Sequence, residues 1–462
     1  MGLDNTVVNV ALPSIRRDLH TSVSGLQWTI DAYTLVLASL LMLSGATADR
    51  VGRRRVFQAG LVLFTLGSLL CSVAPSLGWL VVFRMLQAVG GSMLNPVAMS
   101  IIANTFPEPR ERARAIGIWG GVIGISMALG PVIGGALVDS GSWRTIFWIN
   151  LPVGLAALGL TAVFVPESKA AHPRRPDPVG QLLVLVALAS LTYAIIEGGA
   201  RGWTSPLILG LFVVTAAAVI GLVPYERSRF EPLLEVRFFR SVPFSGATVI
   251  AVSAFAALGG FLFLNTIYLQ EVRGLSPLHA GMYTLPMAAM TVVFAPLSGR
   301  IVGSRGAQLP LVVAGCALIA SSLLLTRLSA TSSVGWLLMT YVVFGAGFGL
   351  VNAPITNTTV SGMPRAQAGV AAAIASTSRQ VGQSLGVAVV GAVATAGIHG
   401  ELRTSFATAS HPGWWITAGC GAVVLLLGLA TTTGWAKDTA ARVAAGAAGG
   451  DGRPVGVPAP VG

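Results

Sequence analysis

The 462 residues are 54% hydrophobic and 10% charged, with a mean hydropathy of +0.77. Soluble domains carry about 25% charged residues, so this chain cannot cover itself with charge and takes lipid as its solvent. The net charge of +12 does not mark a nucleic-acid binder, because the basic residues sit in short connectors between apolar runs.

The apolar runs are continuous and lack period-2 alternation, which predicts helices rather than a barrel. The 56 glycines and 25 prolines suit close helix packing and kinks in a bilayer. Residues 1–13 (MGLDNTVVNVALP) read as a membrane helix but reach only ~20 Å. The expectation is a truncated first helix whose other half lies upstream of Met1. Further helices are predicted at about 28–48, 56–74, 79–104, 114–138, 145–165, 180–196, 206–224, 243–269, 278–302, 309–327, 333–358, 366–395 and 413–434. With the first, that makes fourteen. The tail, residues 435–462, is rich in Ala, Gly and Pro and reads as disordered.

The connectors test this count. With the N-terminus inside, 20 of the 29 Lys and Arg fall in the gaps facing the cytoplasm or in the tail. Arg84 and Arg379 fall within helices, and the rest face outward. That asymmetry is the positive-inside pattern and places both termini in the cytoplasm. Trp28, Trp79, Trp143, Trp203, Trp336 and Trp414 then sit at outer helix ends and Trp435 at an inner one. The densest connector, Gly45 to Arg55 (GATADRVGRRR), holds four arginines and Asp49, and Gly45 and Gly52 allow a tight turn or close helix contact. Part of it repeats: Leu43-Ser44-Gly45 precedes Gly52 as Leu297-Ser298-Gly299 precedes Gly306, with Gly303 in place of Asp49. A chance match of a few small residues is one reading of this; the other is two related halves, which would be residues 1–165 and 243–434, with two extra helices in the linker 166–242.

Charges inside a membrane are expensive and are functional candidates by default. Asp4 lies near mid-bilayer and is the first candidate for a proton site; the alternative is a fixed Asp4–Arg84 ion pair that holds helices together. Asp31, nearer its helix end, is a second candidate for coupling or cation binding, or else an interfacial polar residue. In Gly130, Pro131, Gly134 and Gly135 the glycines form a small-residue face for close helix approach and the proline a bend. Asn5, Asn9, Asn95, Asn265, Tyr283, Arg379, Gln380 and Gln383 either line a cavity or bond between helices. Cys71, Cys316 and Cys420 lie far apart in apolar runs and read as packing residues. No metal-ligand spacing, Walker loop or nucleophile–base constellation is present, so no metal, ATP coupling, cofactor or enzyme is expected.

Together these stretches resemble the fourteen-helix drug:proton antiporter branch of the major facilitator superfamily. LDNTVVNVALPSI (Leu3–Ile15) is similar to its helix-1 motif, GATADRVGRRR to its loop motif, RMLQAVGGS (Arg84–Ser92) to its helix-4 motif and GPVIGG (Gly130–Gly135) to its antiporter motif. WRTIFWINLPVG (Trp143–Gly154) and YLQEVRGLSPLHAG (Tyr268–Gly281) add to the match. The resemblance implies an inner-membrane, monomeric, proton-driven exporter of small amphipathic organic compounds working by alternating access. Asp4 and Arg84 would handle the proton. Gly45, Asp49, Arg50, Gly52 and Arg53 would form a cytoplasmic gate, with Arg112 or Arg114 as candidate partners of Asp49. Two departures stand out: Ala88 replaces a usual glycine, and ASTSRQVGQSLG (Ala375–Gly386) lacks the acidic residues of the branch's dication exporters. Uptake symport, lipid export and a non-transporting scaffold or sensor remain the alternatives.

Overall fold

A computed structural model describes residues 2–450 apart from 107, 171–176, 230–231, 233–234 and 361–367. Every regular element among the described residues is helical. This follows from the solvent: in hydrocarbon a helix satisfies its own N–H and C=O groups. The first half comprises α1 (Gly2–Asp18), α2 (Val23–Val51), α3 (Arg53–Ser72), α4 (Leu77–Ser92), α5 (Asn95–Thr105), α6 (Pro109–Ser140), α7 (Thr145–Trp148) and α8 (Asn150–Phe164). Then come α9 (Pro178–Arg201) and α10 (Pro206–Ser228). The remainder comprises α11 (Val242–Ile267), α12 (Pro277–Tyr283), α13 (Leu285–Arg305), α14 (Gln308–Leu325), α15 (Val334–Val360), α16 (Ala368–Ala396), α17 (Leu402–Ala409), α18 (His411–Ala430) and α19 (Gly434–Gly450).

Three spans expected as single helices are broken, each just ahead of a proline. Pro96, Pro152 and Pro286 lack the N–H that would bond the residue four back, and the breaks fall at Leu94, Ile149 and Thr284. Hydroxyl caps start other helices: Ser22, Ser205, Ser241 and Ser276 each accept from the N–H three residues on. The repeat glycines take equivalent roles. Gly52 (φ 131°) joins α2 to α3 and Gly306 (φ 82°) joins α13 to α14, in backbone that a side chain would strain.

Twelve helical stretches among the described residues are long and apolar enough to cross a membrane. The fourteen expected from sequence add α1, which has 17 residues, and α16, which has 29 but is not among the twelve. Both lie inside the bundle. α1 packs on α6, α2 and α11, and α16 packs on α11, α2, α9 and α18. A helix enclosed by other helices can carry polar residues, as α16 does with Ser378, Gln383 and Ser384, all buried. The lipid-facing helices show the reverse pattern, with Val163 75% and Ile220 72% exposed.

The linker pair has a definite place. α9 and α10 pack on each other, and α9 also lies across α2 and α16. Trp28 Nε1 donates to Glu197 Oε1 at 3.0 Å near one end of α9, and Gln181 Nε2 donates to Ser39 O near the other. Residues 171–176, expected as a basic part of the linker, lie outside the described residues. The tail differs from expectation. Gly434–Gly450 is helical, as its alanine content favours. Ala436 is buried, and Val242 N donates to Thr439 Oγ1 at 3.0 Å. Residues 451–462 lie outside the described residues.

At the end of the bundle opposite the arginine connector, Asp18 closes the α1–α2 turn onto α7. Its Oδ2 accepts from Arg144 Nη1 at 2.5 Å and from Trp143 Nε1 at 2.8 Å. The hydrogen bond from Arg144, then that from Trp143, holds this carboxyl below its usual range. A folded-state pKa below the unfolded one adds stability above the unfolded value of about 3.9, and that stability fades as pH falls through the folded value. Asp18→Asn should therefore lower the melting temperature slightly at pH 7, because the pair is half exposed. Melting curves of wild type and variant should converge as pH falls below the folded-state value; a constant gap across pH would refute the assignment.

Candidate functional site

The centre of the first half is a closed polar cluster. α1 brings Asp4, α4 brings Arg84 and Gln87 one turn apart on one face, α3 brings Ser68 and the start of α8 brings Asn150. Asp4 is 3% and Arg84 1% exposed. Arg84 Nη1 donates to Asp4 Oδ2 at 2.8 Å and to Gln87 Oε1 at 2.7 Å. Asp4 Oδ1 accepts from Gln87 Nε2 at 3.0 Å and from Asn150 Nδ2 at 2.8 Å. Asn150 also donates to Ser68 Oγ at 3.0 Å, and Ser68 donates to Phe147 O at 2.9 Å. Arg84 Nε reaches Thr29 O at 3.3 Å, and its guanidinium carbon lies 4.1 Å from the centroid of the Tyr33 ring. Both carboxylate oxygens are thus hydrogen-bonded, in a site with no exposed surface to speak of. Losing one charge would strand the other.

Asp31 does not join this cluster. It is fully buried in α2, and neither of its oxygens has a hydrogen-bond partner. The hydroxyls of Ser384, on α16, and Thr34 stand beside it. One turn away on α2, Gln27 Nε2 donates to Val387 O at 3.0 Å and Ala388 O at 2.8 Å, pinning α2 to α16.

The arginine connector is built around an unexpected partner. Asp49 Oδ1 accepts from Arg53 Nη2 at 2.9 Å and Nε at 3.1 Å. Arg112 or Arg114, expected as partners of Asp49, form no ion pair with it among the described residues. Arg53 reaches Asp49 from four residues on, across the Gly52 turn, so the pair forms within the connector itself. Glu167, after α8, covers the start of α3: its oxygens accept from Arg54 N at 3.1 Å and Arg55 N at 3.3 Å. A Cβ on Gly52 would lie 2.7 Å from Glu167 Oε1, so the glycine clears this cap. Arg53 N donates to Ser168 O and Ala170 N to Asp49 O, locking connector to segment. Gly45 leaves its neighbour Pro96 at contact distance, and Arg50 is exposed.

The glycine stretch of α6 serves two packings. Gly130 faces Thr6 and Gly134 faces Val7, so this face seats α1. A Cβ on Gly135 would lie 2.5 Å from Pro277 O and 2.6 Å from Leu278 Cα, so this position seats α12. Pro131 lies within α6, and its carbonyl oxygen faces Gly281 of α12. Asp139 closes the same end, accepting from Ser276 Oγ at 2.8 Å and Leu278 N at 3.1 Å. Gln270 Nε2 donates to Val10 O at 2.7 Å, and Arg16 lies 3.8 Å from Glu271. These contacts join the two halves at the end away from the arginine connector.

The polar positions separate into two kinds. Asn9 donates to Asn5 O at 2.8 Å, and buried Asn265 accepts from Tyr341 OH, tying α11 to α15. Gln383 is buried against α11, its backbone beside Gly259. Asn5, Asn95, Tyr283, Arg379 and Gln380 keep partial exposure. Sequence reasoning missed Gln87, Asn150 and Glu167. Gln87 carried a usable signal, three residues after Arg84; Asn150 and Glu167 carried none beyond being polar.

The described residues thus form a multi-pass helical bundle with a satisfied ion pair in its interior. The chain belongs to the major facilitator superfamily, whose family model, Major Facilitator Superfamily, matches residues 1–387. It is 38% identical over 401 residues to the multidrug resistance protein Stp of Mycobacterium tuberculosis, covering 87% of this chain and 74% of that one. It is 38% identical over 415 residues to the tetracenomycin C resistance and export protein of Streptomyces glaucescens, covering 89% and 77%. It is 34% identical over 397 residues to the methylenomycin A resistance protein of Streptomyces coelicolor, covering 85% and 82%. Among solved structures, a bacterial homologue of the human drug peptide transporters PepT1 and PepT2 superposes with a TM-score of 0.67 over 96% of each chain at 13% identity, a likeness of fold.

Proposed function

We propose that this protein is a proton-coupled antiporter that exports small amphipathic organic compounds across the inner membrane by alternating access. The observation that carries the reading is the Asp4–Arg84 pair, closed by Gln87 and Asn150. A buried ion pair is a poor way to stabilise a bundle, since well-packed apolar residues do as well or better. A scaffold has no need of it. A transporter does, because a proton delivered to Asp4 removes one charge and frees Arg84 to move. Asp31, with both oxygens unpartnered at the α2–α16 seam, supplies a second carboxyl that responds to a proton. The names of the relatives, resistance and export proteins for antibiotics, favour a drug or toxic metabolite as cargo.

In this scheme residues 1–165 and 243–434 are the moving halves, 166–242 carries the two added helices, and both termini face the cytoplasm. The contacts of Gly135, Asp139, Gln270 and Arg16 close the outer end in the present arrangement. The connector of Gly45, Asp49, Arg50, Gly52 and Arg53, docked on Glu167, is the cytoplasmic gate. The chain works as a monomer.

Everted vesicles with an acid interior test the reading. Adding substrate should dissipate the pH gradient, and Asp4→Asn should lose that response. A gradient that never responds to any of a broad set of amphipathic compounds would defeat it, as would full coupling in Asp4→Asn with Asp31→Asn.

A further inference from the structure

The bundle holds a second arginine in surroundings unlike those of Arg84. Arg379 Nη2 on α16 donates to Thr356 Oγ1 on α15 at 2.6 Å. Its guanidinium carbon lies 6.0 Å from the centroid of the Phe255 ring on α11. No carboxylate pairs with it among the described residues. Its Nε is buried without a hydrogen-bond partner, and so is Oε1 of the adjacent Gln380. Asp31 does not serve it. That carboxyl stands beside Ser384, five residues along α16, which is about 140° round the helix and turned to α2.

Thr356 is exposed although it lies in a membrane-spanning helix. An exposed hydroxyl and a guanidinium fit a water-filled space between α11, α15 and α16 better than lipid. A guanidinium without a carboxylate partner matches a carboxylate or phenolate in shape and charge. Phe255 gives that site an apolar wall, itself packed edge-on against Phe348 at 5.2 Å.

We propose that Arg379 anchors the anionic group of the transported compound, a carboxylate or phenolate on a flat aromatic body that lies against Phe255. This assignment rests on the transport reading above and narrows its cargo. A cationic drug would meet a like charge here, consistent with the lack of acidic residues along Ala375–Gly386.

A matched series tests it: anthracene-9-carboxylate, its neutral methyl ester and 9-(aminomethyl)anthracene, each titrated against purified protein in lipid nanodiscs. The wild type should bind the carboxylate about tenfold or more tighter than the ester, the range of a charge-assisted hydrogen bond. Arg379→Gln should erase that preference while ester binding stays put. Arg379→Lys should keep part of it, having the charge but not the fork. Melting curves confirm that each variant is folded. Equal or better binding of the ester or the amine by wild type overturns the assignment, as does a carboxylate preference that survives Arg379→Gln. Wild type that binds none of the three but shows antiport of other compounds in vesicles overturns the anion assignment alone. Absence of antiport with every compound overturns the transport reading beneath it.

Discussion

Asp4→Ala should lower the stability of the protein by about 3–5 kcal/mol, the cost of stranding a buried charge. The stranded group is Arg84, 1% exposed and held by Asp4, Gln87 and the Thr29 carbonyl. Gln87 and Asn150 would also lose their shared acceptor, Asp4 Oδ1. Arg84→Met should be costly for the mirror reason. The double variant should recover much of the loss, since both charges are then gone and Tyr33 and Phe147 already flank the site. Thermal unfolding in detergent across the four proteins closes the cycle. Simple additivity of the two single losses would mean that the pair is not coupled. Transport separates structure from mechanism: the double variant should be folded yet unable to exchange protons for substrate. If it still couples, Asp31 carries the proton alone.

The parts legible in the sequence are those where membrane physics leaves few choices. A charge inside an apolar run is rare enough that Asp4 and Arg84 could be paired before any geometry was seen. The repeat glycines Gly52 and Gly306 were visible because only glycine relieves the turns they occupy. What stayed hidden depends on how faces meet. Asn150 is one amide among several, and nothing in its neighbours marks it as a donor to Asp4. Asp49 had arginines on several connectors to choose from, and the sequence reading looked to Arg112 and Arg114 when the match lay four residues away at Arg53. Glu167 caps α3 from more than a hundred residues on, which no local pattern encodes. Helix α16 was legible although it is not among the twelve apolar spans: enclosed by α2, α9, α11 and α18 it carries polar residues, yet the run 366–395 marks its extent.

The second large effect is expected at Gly135. An alanine there would place its Cβ 2.5 Å from Pro277 O and 2.6 Å from Leu278 Cα. Both are backbone atoms, so no rotamer change relieves the clash and α6 must part from α12. Overpacking of this kind costs typically about 1–3 kcal/mol. Here the separation would also pull Asp139 away from Ser276 and from the Leu278 N–H, undoing the closure at that end. Gly120→Ala is the matched control, on the same helix with no neighbouring atom within 4 Å of the added carbon. Hydrogen exchange reads the difference directly, because the Leu278 amide is protected by Asp139. Exchange over residues 276–283 should quicken in Gly135→Ala and stay unchanged in Gly120→Ala. Equal exchange in the two variants would show that α6 and α12 do not hold this end shut. Faster exchange confined to Gly135→Ala makes the glycine one of the places where the halves meet, and a bias toward opening at that end follows from it. The arginine connector at the other end should then exchange no faster, since its ties to Glu167 and Ser168 lie wholly within the first half and the segment after it.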